Sequence, residues 1–219
     1  MSYPEKKSPL TNKAPKHQAS SNKNKAINSK TTINSGTTIN REEYIKKWKD
    51  KYSNIKIPDH INIKNPNKWE ELFYHKVFDI TCGMFGESEI LSDAINYHFT
   101  GKHKLYEGEW KSYEKDWTAP QEFVDVTSEF IKKEQEYLTK KYGKSVLLYR
   151  VSGNNKTNIT SWTDNEEWAR LWKKINNKPD VEIFERYILT DKIIIGGDSM
   201  MFLSREPHER EFLVWKAFE

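Results

Sequence analysis

Apolar residues recur at intervals of three and four along the first half of the chain, which is the spacing of amphipathic helices. The pattern predicts a first helix that Asn40 caps, a second that begins at Pro66, and a third within the stretch ESEILSDAINYHF. A fourth helix is predicted over residues 120–142, because Gly143 directly after it favours a left-handed stop. Residues 101–119 are expected to be loop or irregular structure.

The pattern changes after Lys144, where short β-branched and apolar runs replace the helical spacing. These runs predict strands, and their sequences are SVLLYRVSG, TNITSWT, VEIFERYIL, KIIIGG and EREFLVWKAF. One helix interrupts them, and Thr163 with Glu166 has the form of a capping box at its start. Helices followed by short strands with one intervening helix predict an α+β domain.

The first forty residues differ in composition from the rest, with one aromatic residue, Tyr3, and an abundance of Ser, Asn, Thr and Lys. Such a segment buries too little apolar surface to offset its ordering entropy. We therefore expect a disordered tail at residues 1–40 and a folded domain at 41–219. The tail has seven Lys and one acidic residue, whereas the whole chain has a net charge of +4. The remainder is close to neutral, which argues against a general nucleic-acid-binding surface.

A single cysteine, Cys82, permits no internal disulfide and fits a reducing compartment, or export without oxidative folding. No apolar run approaches the roughly 18 residues of a membrane span, and the N-terminus lacks the apolar core of a secretory signal. We expect no membrane span and no export by the common secretory route. The simplest interpretation of the tail is a solvated segment; the alternatives are a leader for a specialised bacterial secretion system and a partner-binding site.

Arg150 lies on the same face of the first predicted strand as Val146 and Leu148. An arginine at the end of an apolar face needs an anionic partner, because an unpaired buried charge is very costly. An internal salt bridge or an edge position would satisfy this need as well as a ligand would.

Ser161 and Thr163 share one face of the second predicted strand, and Glu209 and Glu211 begin the last one. In an extended chain the two glutamates project from one face, where their like charges repel and lower stability. A functional role for the two carboxylates would explain why they are found together. The segment GGDSMMFLSREPH before them has the glycines and polar residues of a mobile recognition loop.

In this order the three segments resemble the arginine-serine-glutamate class of mono-ADP-ribosyltransferases. That family has an arginine in an aromatic-Arg strand, here LLYRVS, and a Ser-x-Ser/Thr strand followed by a helix, here SWTDNEEWARLW. Its third motif is Glu-x-Glu at the start of a late strand, here EREFLV. The resemblance covers roughly residues 144–218, and the family also places a helical lobe before its first strand. It implies an ADP-ribosyltransferase-like fold whose strand-rich half binds NAD.

The resemblance also implies roles for individual residues. Glu211 would stabilise the oxocarbenium ion that forms when the bond between nicotinamide and ribose breaks. Arg150 would bind the NAD pyrophosphate, Ser161 would orient Glu211, and Thr163 would support the nicotinamide side of the cleft. Glu209 would orient and deprotonate the acceptor, and a glutamate at this position goes with arginine acceptors in the family.

The expected function is transfer of ADP-ribose from NAD, the substrate, to a macromolecule by a bacterial or phage toxin or effector. Protein is favoured over nucleic acid as the target, and a cognate antitoxin, immunity protein or chaperone would be a further partner. The bacterial cytoplasm and a target cell reached by specialised secretion are the two expected locations. RNA or DNA modification, NAD glycohydrolase activity and a non-catalytic binding module are the alternatives.

Other candidate residues have simpler explanations. Phe202, before the glutamate pair, would contact the acceptor, although packing explains it equally well. His208 lies beside Glu206 and Glu209, but adjacent loop residues do not converge on one ion, so no metal is expected. Four tryptophans are expected in the core: Trp162, Trp168, Trp172 and Trp215.

Overall fold

The computed structural model describes most of the chain from Arg41 onward, and the described residues belong to one compact unit, Ile39–Glu219. They are residues 41–81, 89–104, 118–152, 158–176, 181–204 and 206–216. The predicted tail at residues 1–40 and Cys82 lie outside them.

The first half of the domain is helical, as the apolar spacing predicts. The described helices before the sheet are α1 (Arg41–Tyr52), α2 (Lys68–Thr81), α3 (Glu89–Thr100) and α4 (Gln121–Tyr142). α4 ends at Gly143, whose φ of 83° is a conformation that glycine adopts without steric cost. Both α2 and α3 pack against α4, which is therefore the centre of the helical layer. None of the described helices is long and apolar enough to cross a membrane.

Helix α2 begins two residues later than the predicted start at Pro66. Asn67 caps it, since its Oδ1 accepts hydrogen bonds from the amides of Trp69 (2.9 Å) and Glu70 (3.0 Å). The Glu70 carboxylate in turn accepts one from the Asn67 amide (2.8 Å). This reciprocal pair is a capping box, and it sets the first turn of the helix.

Each of the five apolar runs in the second half forms a strand. Within the described residues these are β1 (Ser145–Ser152), β2 (Ile159–Thr163), β3 (Glu182–Leu189), β4 (Ile193–Gly196) and β5 (Glu211–Trp215). They form one antiparallel sheet in the order β3-β1-β2-β5-β4. The predicted α+β class, with a helical first half and a strand-rich second half, is confirmed.

β1 and β2 share little backbone pairing although they are neighbours. β1 pairs with β3 along its whole length, whereas its described pairing with β2 is the single position Tyr149↔Thr163. β2 pairs with β5 along its whole length. The described pairing of β1 with β2 therefore lies next to Arg150, and the two strands remain neighbours in one five-stranded sheet.

Two apolar cores pack against the sheet. In the larger core the helices cover one face of β5, and the ring of Phe99 on α3 stacks on Trp215 with centroids 5.1 Å apart. The smaller core joins Leu148, Trp162 and Phe212 of β1, β2 and β5. All residues of β5 are buried, so Glu211 at its start is a carboxylate in an apolar setting.

Helix α5 (Glu166–Asn176) lies between β2 and β3. Its cap is Asn165, whose Oδ1 accepts a hydrogen bond from the Trp168 amide at 3.2 Å. The predicted capping box that starts at Thr163 is wrong, because the Thr163 hydroxyl has other partners. The tryptophans predicted in the core are buried except Trp172, which is 42 % exposed on α5.

The described part of the segment between β4 and β5 contains short helical elements, whereas its glycines and polar residues predict a loop; its mobility stays a prediction. It contains α6 (Met200–Leu203) and a 3₁₀ turn (Pro207–Glu209). Asp198 and Ser199 are buried and hydrogen bonded. Polar residues that favour an exposed loop thus occupy buried positions here.

Candidate functional site

Arg150 lies near the end of β1, on the buried face that also carries Val146 and Leu148. Its Nη1 donates a hydrogen bond to the carbonyl oxygen of Ser161 at 2.7 Å. This contact bridges β1 and β2 beyond the position where their backbones pair. Burial lowers the pKa of Arg150 from its ordinary value, because desolvation disfavours the charged form. An anionic ligand beside the guanidinium would offset that cost.

Ser161, Thr163 and Glu211 meet where β2 pairs with β5. Thr163 lies opposite Glu211, and Ser161 lies opposite Leu213, so the three polar side chains share one face of the two strands. The Ser161 side chain forms a hydrogen bond with the Glu211 carboxylate. The structure therefore brings together three of the residues that the sequence motifs single out.

Arg150, Ser161 and Glu211 lie on three neighbouring strands, and we name them the Arg-Ser-Glu cluster. The strand registers place the side chains of Ser161 and Glu211 on one face of the sheet, whereas Arg150 shares the opposite face with Leu148 and Trp162 and reaches Ser161 at its backbone carbonyl oxygen. Ser161 connects its two charged members, with its carbonyl oxygen toward Arg150 and its side chain toward Glu211. A guanidinium is suited to bind phosphate, and a buried carboxylate is suited to stabilise positive charge. The cluster therefore has the groups required to hold a molecule that is anionic at one point and becomes cationic at another.

Burial raises the pKa of Glu211, and the hydrogen bond from Ser161 opposes this effect without cancelling it. Only 9 % of the residue is exposed. The folded protein therefore binds the proton of Glu211 more tightly than the unfolded chain does. Ionisation of this group costs folding free energy, and the cost is fully present above the folded-state pKa and absent below the unfolded-state pKa.

This sign predicts that Glu211→Gln raises the melting temperature near neutral pH, because the neutral amide removes the buried charge and keeps the size of the side chain. For a chain of this length each 1 kcal/mol of relief corresponds to an increase of about 2–4 °C. The difference between variant and wild type should disappear as the pH falls to the ordinary range of glutamate. The measurement is thermal unfolding across a pH series.

Glu185→Gln is the matched control, because Glu185 is exposed on β3 and loses no buried charge. We expect its melting temperature to stay at the wild-type value across the series. A lower melting temperature for Glu211→Gln near neutral pH would contradict the assignment and would show that the protein stabilises the Glu211 carboxylate.

Glu209 does not lie on β5, which corrects the prediction that it begins the strand together with Glu211. It ends the 3₁₀ turn, and β5 begins at Glu211. Arg210 between them has a φ of 47°, in the left-handed region that residues other than glycine rarely adopt. The chain turns between the two glutamates, so strand alternation does not place their side chains on one face.

The Thr163 hydroxyl connects the end of β2 to this turn. It donates a hydrogen bond to the Glu209 carbonyl oxygen at 2.5 Å and accepts one from the Asn165 amide at 3.0 Å. These two hydrogen bonds connect the backbone after β2 to the backbone of the turn at Glu209. The expected contact of Thr163 with nicotinamide stays a prediction.

The two side chains assigned to the acceptor, Glu209 and Phe202, are both half-buried. Phe202 lies in α6, where its amide donates to the Ser199 carbonyl oxygen at 3.2 Å. Both residues thus belong to the segment between β4 and β5. Their contact with an acceptor stays a prediction.

Glu134 on α4 is a fully buried carboxylate that supports the same segment, and no sequence motif singles it out. Its Oε1 accepts a hydrogen bond from the Gly196 amide (3.1 Å), and its Oε2 accepts one from the Ser199 hydroxyl (2.6 Å). The Nε2 of His60 also lies 2.6 Å from Oε2. A signal for it exists in the sequence, since Glu134 occupies the apolar stripe of α4 four residues before Leu138.

His208 packs the 3₁₀ turn against α1 and α5. Its ring lies 4.7 Å from that of Trp168, 6.2 Å from that of Trp48 and 6.3 Å from that of Tyr44, measured between centroids. Its Nδ1 lies 3.4 Å from the Glu206 carboxylate. Across the described ranges, no group of three or more His, Cys, Asp or Glu side chains is arranged to hold a metal ion.

A concave surface of about 760 Å³ lies between α4 and the segment that precedes α2. Its lining does not include the Arg-Ser-Glu cluster, and its basic and acidic side chains are nearly balanced in number: Lys56, Lys133, Lys140, Lys141, Asp59, Glu136 and Asp198. This mixture of charges favours no single class of ligand.

Comparisons of the chain with protein-family models, with curated proteins and with solved structures each give no match. The chemistry assigned to the Arg-Ser-Glu cluster therefore rests on its residue types, their order along the chain and their geometry.

Proposed function

We propose that the protein is a mono-ADP-ribosyltransferase that uses NAD to modify arginine on a target protein, as a toxin or effector. One observation carries the proposal. Arg150, Ser161 and Glu211 come from three separate sequence motifs, yet they lie on neighbouring strands and are connected through Ser161. The Ser161 side chain and the Glu211 carboxylate share one face of β2 and β5, and the Arg150 guanidinium reaches the Ser161 carbonyl oxygen from the neighbouring strand.

Arg150 would bind the pyrophosphate of NAD. Its planar guanidinium offers paired donors that match phosphate oxygens, and its buried position strengthens a charge-assisted hydrogen bond.

Glu211 would act on the ribose. When the bond between ribose C1′ and the nicotinamide nitrogen breaks, nicotinamide leaves with the bonding electrons and positive charge develops on the ribose. A carboxylate buried beside that ring stabilises the charge more than it would in water. A hydrogen bond from Ser161 would hold the carboxylate in one orientation.

Glu209 would act on the acceptor. It would take a proton from the arginine guanidinium, whose nitrogen then forms the new bond to ribose C1′. With water as the acceptor, the same cluster would hydrolyse NAD. Hydrolysis and transfer therefore share Glu211 and differ in their need for Glu209.

Arg150→Ala tests the binding step. We expect the variant to bind NAD about 10- to 100-fold more weakly than wild type, because a charge-assisted contact to phosphate is lost. The variant should remain folded in the absence of NAD. The measurement is titration calorimetry with NAD, together with thermal unfolding of the free protein.

Arg170→Ala serves as the control, since Arg170 is an exposed arginine on α5 that pairs with Glu166 at 2.8 Å. Its affinity for NAD should equal that of wild type. If Arg150→Ala instead unfolds without NAD, Arg150 is a structural residue. Unchanged affinity in a folded Arg150→Ala protein would exclude the pyrophosphate contact.

A further inference from the structure

Arg210 lies between the two glutamates of the proposed active site, and it is buried although it carries a charge. Only 3 % of its surface is exposed. Its backbone is left-handed, with a φ of 47°, which is an unfavourable conformation for a residue with a side chain. Both features require stabilising contacts from the surrounding protein.

Polar and aromatic side chains supply these contacts. Nε and Nη2 of Arg210 donate to the two carboxylate oxygens of Asp164 at 2.8 and 2.7 Å, and Nη1 donates to Asp198 at 3.1 Å. Nη2 also donates to the Tyr142 hydroxyl at 3.2 Å. The guanidinium lies over the ring of Tyr52, 4.7 Å from its centroid. The bidentate pair with Asp164 sets the plane of the guanidinium.

The charges around Arg210 are balanced. Lys141 also pairs with Asp198, and the Tyr137 hydroxyl donates to the same carboxylate at 2.6 Å. Burial acts to raise the pKa of Asp198, but its hydrogen bonds with Lys141 and Tyr137 and the nearby positive charges outweigh burial and hold the pKa below the ordinary value. Burial acts to lower the pKa of Arg210, and Asp164 outweighs it.

The two carboxylate partners of Arg210 belong to segments that contact the glutamates directly. One partner follows Thr163, whose hydroxyl donates to the Glu209 carbonyl oxygen. The other follows Gly197, whose amide donates to the Glu211 carbonyl oxygen at 3.1 Å. Arg210 therefore connects the end of β2, the turn after β4 and the start of β5.

We infer that Arg210 is a positioning residue, which holds the turn that orients Glu209 and Glu211 for their separate steps. The expected effect of Arg210 on catalysis rests on the proposed function, whereas its effect on the turn does not. The guanidinium nitrogens are engaged by the protein, so Arg210 acts through the two glutamates. Its loss should slow bond cleavage and leave the NAD contact of Arg150 in place.

The test uses the full chain and two variants with a matched control. Arg210→Met removes the charge and keeps the length of the side chain, while Arg210→Lys keeps the charge and loses the bidentate geometry. Arg170→Met is the control, because it removes an exposed arginine from α5. Backbone amide hydrogen exchange is measured for each protein, and kcat and KM are measured for nicotinamide release from NAD.

In Arg210→Met we expect the amides of residues 197–204 and 209–213 to exchange about 10- to 100-fold faster, with α2 and α3 unchanged. The kcat should fall by about the same factor, while KM changes by less than about threefold. Arg210→Lys should show a smaller change of both kinds. The control should match wild type.

Faster exchange spread evenly over α2, α3 and the sheet would overturn the inference, because it indicates general destabilisation. Wild-type protection and wild-type kcat in Arg210→Met would overturn it as well. If Arg210→Met does not fold, Asp164→Asn takes its place, since it weakens the same contact and keeps the arginine, and the same outcomes decide. If wild type releases no nicotinamide, the proposed function fails, and the exchange pattern alone decides whether Arg210 holds the turn.

Discussion

Glu211→Gln is expected to lower NAD hydrolysis and ADP-ribose transfer together, each by about 10²- to 10³-fold. Both reactions break the bond between nicotinamide and ribose, so both pass through the same cationic transition state. Glutamine matches the size of glutamate and can accept the hydrogen bond from Ser161, but it carries no charge to stabilise the cation. Nicotinamide release and labelling of free arginine are measured side by side on folded protein.

Glu185→Gln again provides the control, since Glu185 is an exposed glutamate on β3 with no assigned role. It should retain both activities. Unimpaired transfer by Glu211→Gln would remove Glu211 from the chemistry, and with it the assignment of the protein to this class of transferase.

Glu209→Gln should lower transfer severely and spare much of the hydrolysis. Loss of the base is expected to lower transfer to free arginine by about 10²- to 10⁴-fold. Hydrolysis should persist, because water is a small and mobile nucleophile that does not require this carboxylate for orientation. The variant should keep its local structure, since the Thr163 hydroxyl binds the backbone carbonyl of Glu209 and not its side chain.

Glu206→Gln is the matched control for this step, because Glu206 lies three residues earlier and its carboxylate faces His208 at 3.4 Å. The ratio of transfer to hydrolysis should stay at the wild-type value in this control. Equal loss of hydrolysis in Glu209→Gln and Glu211→Gln would show that the two glutamates do not divide the work as proposed.

The helices and strands could be predicted because their signals are local. The apolar stripe of α4 and the glycine at position 143, with its positive φ, identify that helix to within one residue. The five apolar runs after Lys144 each contain one strand. In these segments the burial pattern and the backbone preference of the residues agree, so a short stretch of sequence is sufficient to predict the helix or strand.

Helix starts and the segment before β5 could not be predicted in the same way. Several polar residues near each start are able to cap. The caps are Asn67 and Asn165, whereas the sequence predicts a start at Pro66 and a capping box at Thr163, and the position of the chain in the fold decides between them. The segment between β4 and β5 has a loop-like composition. Its order depends on distant partners such as Glu134, which is 65 residues away from Ser199 in the chain.

In the candidate site, too, the features that depend on neighbouring residues could be predicted, and those that depend on distant residues could not. Arg150, Ser161 and Glu211 were accessible as motifs. Alternation and register give the shared face of Ser161 and Glu211, and they place Arg150 on the opposite face. The orientation of Glu209 was not accessible, because it depends on the left-handed backbone of Arg210. The sequence Glu-Arg-Glu is typical of an exposed segment, so it does not predict that Arg210 is buried. The partner that permits its burial, Asp164, lies 46 residues earlier in the chain.

One measurement tests the central claim that the Arg-Ser-Glu cluster cleaves NAD and passes ADP-ribose to a protein. Folded wild-type protein and Glu211→Gln are each incubated with cell lysate and NAD labelled in its adenosine part. Released nicotinamide is quantified, and bound label is tested for sensitivity to protease and to nuclease. We predict nicotinamide release and protease-sensitive label with wild type and neither with the variant. Nicotinamide release that is absent from wild type, or equal in the two proteins, would contradict the claim, and nuclease-sensitive label would contradict the protein acceptor.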